Sequence, residues 1–482
     1  MRPWALLPRA ALPRALAALA LSACATTPAE IPQEREQAFL LSVERLEGGD
    51  HATAAAAAWA YLRGAGEDDP RYDRALRLLA RSAESLGLRY PASVWWTEIA
   101  RARRDAALTP EAVDGLRRVI ESGEYDEESI VTDFLAVEEL PKLGGELDDF
   151  VKYTQGLHNL RQGLTAWGLA QLGAIHPDSP YHERARYALA VHSVARGELA
   201  EAAAPLQALA EEARDPLVRR DALTALARLA MQRRDYAAGL SAFERVREQV
   251  PDAPEVLLEV AWAHYYKGDP RRALGYLLAL DAPAYGGLIA PERYILEALT
   301  LRSLCQFGPA REATTRLRAR YAAALSDLYG GVPPERSVPL RAAAASRGAL
   351  RAHERLARSL EGERARLSAL APRLGEGLTE ALGALYARGE EAASARLEGA
   401  LRRESAALAR ELIAAEEAVR LIAHELAVAL LRGRQPPPGR PPVPPLDALA
   451  TSAQVAFGFT GEFWTDELDE LVVAAEDRCI DR

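Results

Sequence analysis

Lysine is almost missing from this chain. Lys142, Lys152 and Lys267 are the only three, so 56 of the 59 basic residues are arginine. Set against 69 Asp and Glu, they leave a formal charge of −10, which supplies no basic stripe and excludes general nucleic-acid binding. The arginine bias reads as the codon habit of a GC-rich genome. Aromatic residues make up only 6%, and β-branched residues are few beside Ala, Leu, Arg and Glu, a balance that favours helix over sheet. Long apolar runs are absent as well. The longest past the N-terminal region, Ala52 to Leu62, has 11 residues, and a bilayer span needs about 20. What is present is ordinary for a folded chain: 482 residues, or about three domains' worth, with 49% hydrophobic and 27% charged residues.

Catalytic motifs are missing too. His182-Glu183, His353-Glu354 and His424-Glu425 each begin H-E-x-x-H, and none has the second histidine of a zinc site. Gly64-Ala65-Gly66 has Asp69 where a dinucleotide fingerprint needs its last glycine. No lysine follows a glycine, so there is no P-loop, and there is no G-x-S-x-G elbow. The carboxylate pairs Glu138-Glu139 and Asp148-Asp149 read as solvated helix faces. The expectation is a non-enzyme with no cofactor, metal or small-molecule substrate. The competing class is a periplasmic enzyme or solute-binding lipoprotein on a helical fold. Its catalytic groups need not be close in sequence, but it requires a deep pocket of convergent polar groups.

Residues 1–23 carry Arg2, Arg9 and Arg14, then the apolar run Ala15 to Leu21, as a secretory signal does. Leu21-Ser22-Ala23-Cys24 resembles a bacterial lipobox, which implies cleavage before Cys24 and acylation (palmitate among the chains) of that cysteine. Several acyl chains, at about 0.8 kcal/mol per CH₂, hold a protein on a bilayer without a transmembrane helix. In the lipoprotein class so resembled, Ala25 in place of Asp implies the outer membrane. Residues 24–34 then form a tether, and the mature protein faces the periplasm.

Residues 35–328 repeat. Turn positions at Gly49, Gly87, Gly123, Gly163, Gly197, Arg234, Gly268 and Gly308 are spaced 34 to 40 apart. Five residues after each turn stand Ala54, Ala92, Glu128, Gly168, Ala202, Gly239, Ala273 and Ala313. Seven before stand Ser42, Ala80, Leu116, Gly156, Ala190, Ala227, Ala261 and Leu301. Glycine ends a helix by adopting the left-handed C-cap, and small residues on both helices let backbones approach. Eight helix hairpins are expected, best defined over 183–328. The unit Pro254–Gly287, with Gly268-Asp269-Pro270 at its turn, resembles the tetratricopeptide repeat (TPR), as does Asp235-Tyr236 followed by Phe243 and Pro251. The resemblance implies an all-α TPR-like solenoid, followed here by long helices and a docked C-terminal segment.

Beyond the break at 329–340, residues 341–434 are nearly all Ala, Leu, Arg and Glu at helical spacing. They form a long helical arm with a plausible interruption at Leu374-Gly375-Glu376-Gly377. No strict heptad is sustained, which favours packing against the repeats. Residues 435–446 hold seven prolines in ten positions, a polyproline II strap roughly 30 Å long. Residues 447–482 concentrate Phe457, Phe459, Phe463 and Trp464, an aromatic segment expected to dock. Repeat body, arm and the ending Gly461-Glu462-Phe463-Trp464-Thr465-Asp466-Glu467-Leu468 with Cys479 resemble TPR outer-membrane lipoproteins of the myxobacterial type. That resemblance implies a protein–protein interaction scaffold in a cell-envelope complex, gliding motility among the candidates.

TPR register implies that each first helix lines the concave face through repeat positions 2, 5, 9, 12 and 13. This maps Tyr187, Arg228, Trp262, Tyr265, Tyr266 and Arg302 to a partner-binding groove. Aromatics flanked by Arg suit an extended acidic or aromatic peptide from an envelope protein. The alternative is that these rings fill the core between repeats. Cys305 and Cys479 remain after Cys24, an even pair in an oxidising compartment, and pair as a disulfide or stay as two buried thiols. With Gly308 as the turn, Cys305 would face the groove and Cys479 would staple the tail there.

Overall fold

The structure, a computed structural model, describes residues 32–125, 134–136, 138–251, 253–285, 290–433, 436–437, 439–440, 442–443, 468 and 471–479. The leader, Cys24, Glu128 and the aromatic residues Phe457, Phe459, Phe463 and Trp464 lie outside them. The fold is all-α and solenoid-like, with no strand among the described residues.

Helices pair in chain order. The hairpins are α1 (Gln33–Glu47) with α2 (His51–Gly64), and α3 (Tyr72–Ser85) with α4 (Arg89–Ala102). After α5 (Thr109–Glu121) come α6 (Gly145–Arg161) with α7 (Thr165–Gly173), and α8 (His182–Ala195) with α9 (Leu199–Glu212). Then follow α10 (Pro216–Gln232) with α11 (Tyr236–Gln249), α12 (Pro254–Lys267) with α13 (Pro270–Ala279), and α14 (Glu292–Ser303) with α15 (Phe307–Arg320). Short α16 (Ala322–Tyr329) and α17 (Val338–Ser346) lead to α18 (Arg351–Leu374) and α19 (Glu376–Leu431).

One turn recurs. Gly49, Gly87, Gly123, Gly163, Gly197, Arg234 and Gly268 all have positive φ, between 62° and 89°. At all of these but Gly123, the residue after the turn donates its N–H to the carbonyl five residues before it, as in Asp50→Arg45 at 2.8 Å, Leu88→Ala83 at 2.8 Å and Asp269→His264 at 2.9 Å. This is the Schellman closure that satisfies the last carbonyls of the first helix. The eighth turn corrects the sequence reading. Gly308 lies inside α15, and the left-handed residue is Cys305, with φ +53° and the matching bond Gln306→Leu301 at 3.0 Å. Counted from Cys305, the small residues become Ala298 and Ala310, both fully buried, in place of Leu301 and Ala313.

The small pairs meet. Ser42 donates its hydroxyl to the Ala54 carbonyl at 2.9 Å. A Cβ on Gly168 would stand 2.9 Å from the Gly156 carbonyl, and one on Gly239 would stand 3.3 Å from that of Ala227. At the two glycines the facing atom is a backbone carbonyl of the partner helix, so size decides the contact.

The arm is a hairpin turned at Gly375, whose φ is +76°. At 1.5 Å per residue α19, of 56 residues, is about 84 Å long. Its first half shares a core with α2 to α5 through Leu378, Leu382 and Tyr386, and a Cβ on Gly389 would strike the Tyr90 ring at 2.6 Å. Its middle packs on α17 and α16 through Leu408 and Leu412, with Arg341 bound to Glu398 at 2.8 Å and Arg347 to Glu411 at 2.6 Å. Its last turns, at Ile422 and Leu426, meet Ala298, Leu301 and Phe307. A single helix thus touches both the first and the last hairpins.

The arm is also fastened by polar groups. Glu363 on α18 accepts the Arg89 and Tyr90 amide N–H groups at 3.0 and 3.1 Å. The N-cap of α4, Leu88, has no side chain able to do this, so the carboxylate supplies the missing cap and favourably meets the helix dipole. Tyr386 donates its hydroxyl to Glu363 at 2.7 Å, and Tyr125 does so as well. Burial pushes the Glu363 carboxyl above the usual range, against the pull of those donors. On α19, buried Glu416 joins Arg318 at 3.0 Å, Arg420 at 2.6 Å and the Tyr329 hydroxyl at 3.0 Å.

Two local expectations need correction. Asp149 is not on a solvated face: it is 5% exposed, pairs with Lys152 at 3.0 Å and accepts the His176 amide at 3.3 Å. Asp148 caps the Leu143 amide at 2.7 Å.

Candidate functional site

First helices stack upon first helices. On this face Arg184 reaches Asp215 at 2.9 Å, and Arg228 reaches Glu259 with 2.9 Å between Nε and Oε1. Each is a bidentate or near-bidentate tie to the next first helix, about 31 residues on. The Glu183 carboxylate also accepts the Arg214 and Asp215 amides at 3.0 and 3.1 Å, so this His-Glu pair is a helix-start clamp.

The six residues mapped to the groove lie on α8, α10, α12 and α14. The structure gathers three of them tightly. Trp262 and Tyr266 stack with ring centroids 5.4 Å apart, Tyr265 meets Tyr266 edge-on at 5.4 Å, and Trp262 lies 5.8 Å from Tyr265. Tyr236, at the start of α11, adds a fourth ring 5.3 Å from Tyr266. Tyr266 is 46% exposed while Trp262 and Tyr265 are half-buried, so the cluster is part core and part surface. The Trp262 Nε1 donor is buried and meets no acceptor among the described residues.

The flanking charges differ from expectation. Arg228 is bound to Glu259, and Arg302 is bound to Glu425 on α19 at 2.7 Å. Neither guanidinium is left uncompensated for an acidic partner; the face is aromatic and close to neutral. Burial raises the Tyr187 hydroxyl, with Asp221 adding to the rise and Arg228 opposing it. Burial likewise raises Tyr265, helped by Tyr266 and opposed by Arg302. Both tyrosines therefore remain neutral donors at physiological pH.

Cys305 is the turn between α14 and α15, 2% exposed, and not a groove residue. It is joined to Cys479, with a Cα–Cα distance of 5.2 Å. Residues 471–479 lie along α13, the second helix of its hairpin, and along that turn. The tail therefore packs on second-helix and turn atoms, away from the expected groove register, because the turn itself falls at Cys305, three residues before Gly308.

Residues 158–253, from the end of α6 through α11, match the family model described as a tetratricopeptide repeat-like domain. This part of the chain is TPR-like. The match spans the turns at Gly163, Gly197 and Arg234. Among solved structures, the chain is similar to a tetratricopeptide repeat protein from Parabacteroides merdae at 13% identity, over 59% of this chain and 92% of that one, with a TM-score of 0.26. It is also similar to a circular tandem repeat protein with novel repeat topology, at 15% identity over 83% and 90%, with a TM-score of 0.16. No curated protein matches. Among the described residues, no group of three or more His, Cys, Asp or Glu is gathered in a way that could hold a metal ion, and no helix is long and apolar enough to cross a membrane.

Sequence reasoning missed Tyr236, Glu363 and Glu416. For Glu363 a signal existed: it stands in the stripe Leu356, Leu360, Glu363, Leu367, Leu370, Leu374, where every other member is leucine. Tyr236 gave none, because it opens a second helix and reaches the cluster only by stacking of repeats.

Proposed function

We propose that this chain is a non-enzymatic, envelope-anchored scaffold that binds extended segments of partner proteins on the concave, first-helix face of its TPR-like repeats. TPR-like hairpins present a row of parallel first helices, and such a row supplies an extended surface in place of a closed pocket. The observation that carries the reading is the Tyr236–Trp262–Tyr265–Tyr266 cluster. A large aromatic group kept 46% exposed beside a buried, unpartnered indole N–H has the composition of an interaction hot spot. Since Arg228 and Arg302 are neutralised by carboxylates of the chain itself, the favoured partner segment is apolar or aromatic rather than acidic.

The lipobox-like Leu21-Ser22-Ala23-Cys24 supports acylation of Cys24, and Ala25 supports an outer-membrane address. The scaffold would then serve a periplasm-facing envelope assembly, with gliding motility the candidate named by the terminal motif. A photoreactive phenylalanine at Tyr266 in the native organism tests the surface, with one at Glu201 on second helix α9 as the control. Discrete adducts from position 266 alone are expected. Equal adducts from both positions, or none from 266, would overturn the surface assignment. Cys24→Ala tests the anchor independently: continued fractionation with the outer membrane would show that another element holds the protein there.

A further inference from the structure

The C-terminal segment is held mainly by its backbone. The Val473 amide donates to the Arg271 carbonyl at 3.3 Å, and Arg271 Nε donates to the Ala475 carbonyl at 2.8 Å. Gln306 Nε2 donates to the Glu476 carbonyl at 2.8 Å, and the Arg478 amide donates to the Leu304 carbonyl at 3.0 Å. Gly275 makes room for this path, since a Cβ there would stand 2.4 Å from the Leu471 carbonyl oxygen. Side chains alternate inward and outward: Val473 and Ala475 enter the core with Leu274, Leu301 and Phe307, while Ala474, Glu476 and Arg478 are exposed, with a tight turn at Ala474 where the Ala475 amide donates to the Val473 carbonyl at 2.7 Å. Asp477 also turns inward, to Arg440, with 2.9 Å between Nη1 and Oδ1.

We propose that the groove formed by α13 and the α14–α15 turn is a docking channel for an extended peptide, filled in cis by residues 471–479 and opened by reduction of the Cys305–Cys479 disulfide. Contacts to main-chain atoms do not depend on whose main chain provides them, so the channel can accept another segment of the same chemistry. That chemistry is an apolar β-branched residue, then alanine two positions on, then a carboxylate two further to meet Arg440. Leu471 shares a core cluster with Trp262 and Tyr265, but none of the hydrogen bonds of the channel involves the aromatic first-helix face, and the proposal does not rest on that face.

Cys479 is half-buried and Cys305 fully buried, so the outer sulfur is the point of attack. A thiolate of a dithiol reductant attacks Cys479 Sγ, the S–S bond breaks, and Cys305 leaves as a thiolate that takes a proton. The second thiol of the reductant then displaces Cys479. The dithiol ends as a disulfide and both cysteines end as thiols, a two-electron exchange. Residues 471–479 are then held by their hydrogen bonds, the Asp477–Arg440 ion pair and apolar side chains alone.

The test uses the full-length protein and a fluorescent synthetic peptide of residues 471–478, with anisotropy read before and after reduction by dithiothreitol. The oxidised protein is expected to bind the peptide at least tenfold more weakly than the reduced protein. Reduced Ala475→Asp, whose own residues 471–479 no longer fit, is expected to bind most tightly, and reduced Gly275→Val not at all. Hydrogen exchange on the unaltered protein gives a readout free of folding defects: the Val473 and Arg478 amides should exchange at least tenfold faster once reduced. Equal peptide binding by the oxidised and reduced forms, no binding to reduced Ala475→Asp, or unchanged exchange at Val473 and Arg478 would each overturn the proposal.

Discussion

Removing the Glu363 carboxylate is the most direct test of how the arm is fastened. Glu363→Ala leaves the Arg89 and Tyr90 amides and the Tyr125 and Tyr386 hydroxyls without their acceptor. Tyr125 is 7% exposed and Tyr386 fully buried, so water cannot replace what is lost. Leaving a buried neutral donor unpaired costs about 1–3 kcal/mol, so the two hydroxyls alone cost about 2–6 kcal/mol, and the lost start of α4 adds to that figure. Glu363→Gln keeps one acceptor oxygen but points an amide at the remaining donors, and should cost about 2 kcal/mol at roughly one unsatisfied buried donor. Urea denaturation followed by circular dichroism measures both, and hydrogen exchange at Arg89 and Tyr90 shows whether the loss begins at α4. The pH dependence adds a sign. Burial raises this carboxyl above 4.5 in the folded protein, so its protonated form is favoured by folding. That contribution is complete below pH 4.5 and is lost as pH rises through the folded value. Wild type should therefore gain on Glu363→Ala as pH falls toward 4.5, and the gain should then level off. A change under 1 kcal/mol for Glu363→Ala, with unaltered exchange at Arg89 and Tyr90, would refute the argument.

Asp215 should behave with the opposite sign. Burial opposes its charge, but Arg184 and the Leu217 amide outweigh it and hold the carboxyl below 3.8; its contribution is present above pH 3.8 and is lost as pH falls through the lower folded value, so Asp215→Asn should flatten stability in that acid window. Cys305→Gly and Cys305→Ala both abolish the disulfide, yet glycine adopts φ +53° without strain and alanine only at a cost. The glycine variant should be more stable by about 1 kcal/mol, read as a shift in thermal midpoint. Reducing the disulfide in the unaltered protein should lower stability by up to about 5 kcal/mol, the chain-entropy value for so long a loop, measured by denaturant titration with and without reductant. Gly168→Ala improves helix propensity but forces a Cβ to within 2.9 Å of the Gly156 carbonyl, so it should cost about 1–3 kcal/mol by overpacking, again seen in the denaturation midpoint.

The hairpin register was legible because it depends on local chemistry: a left-handed C-cap and small residues at fixed offsets. It failed at the eighth turn for the same reason. A cysteine carries no turn signature, and Gly308, three residues later, looked the part. The helical arm was legible as a leucine stripe, but not where it would dock. That depends on Glu363 meeting an amide 274 residues away and on Gly389 giving way to Tyr90, and no local window contains either fact. In the groove, register identified Trp262, Tyr265 and Tyr266 as neighbours. It could not show that Arg228 and Arg302 were already committed to Glu259 and Glu425, since one partner is on the next repeat and the other on the arm.

The continuous α19 bears on mechanics. An array of stacked hairpins behaves as a spring, because each interface yields a little under tension. Here a rod about 84 Å long is attached near both ends of that spring, so the two elements share load in parallel. Stiffnesses in parallel add, and the stiffer element carries most of the force. A pull between the first hairpins and the last is therefore borne first by the attachments of α19 at Tyr90 and at Arg302. The repeats in between keep their curvature until one of those attachments gives.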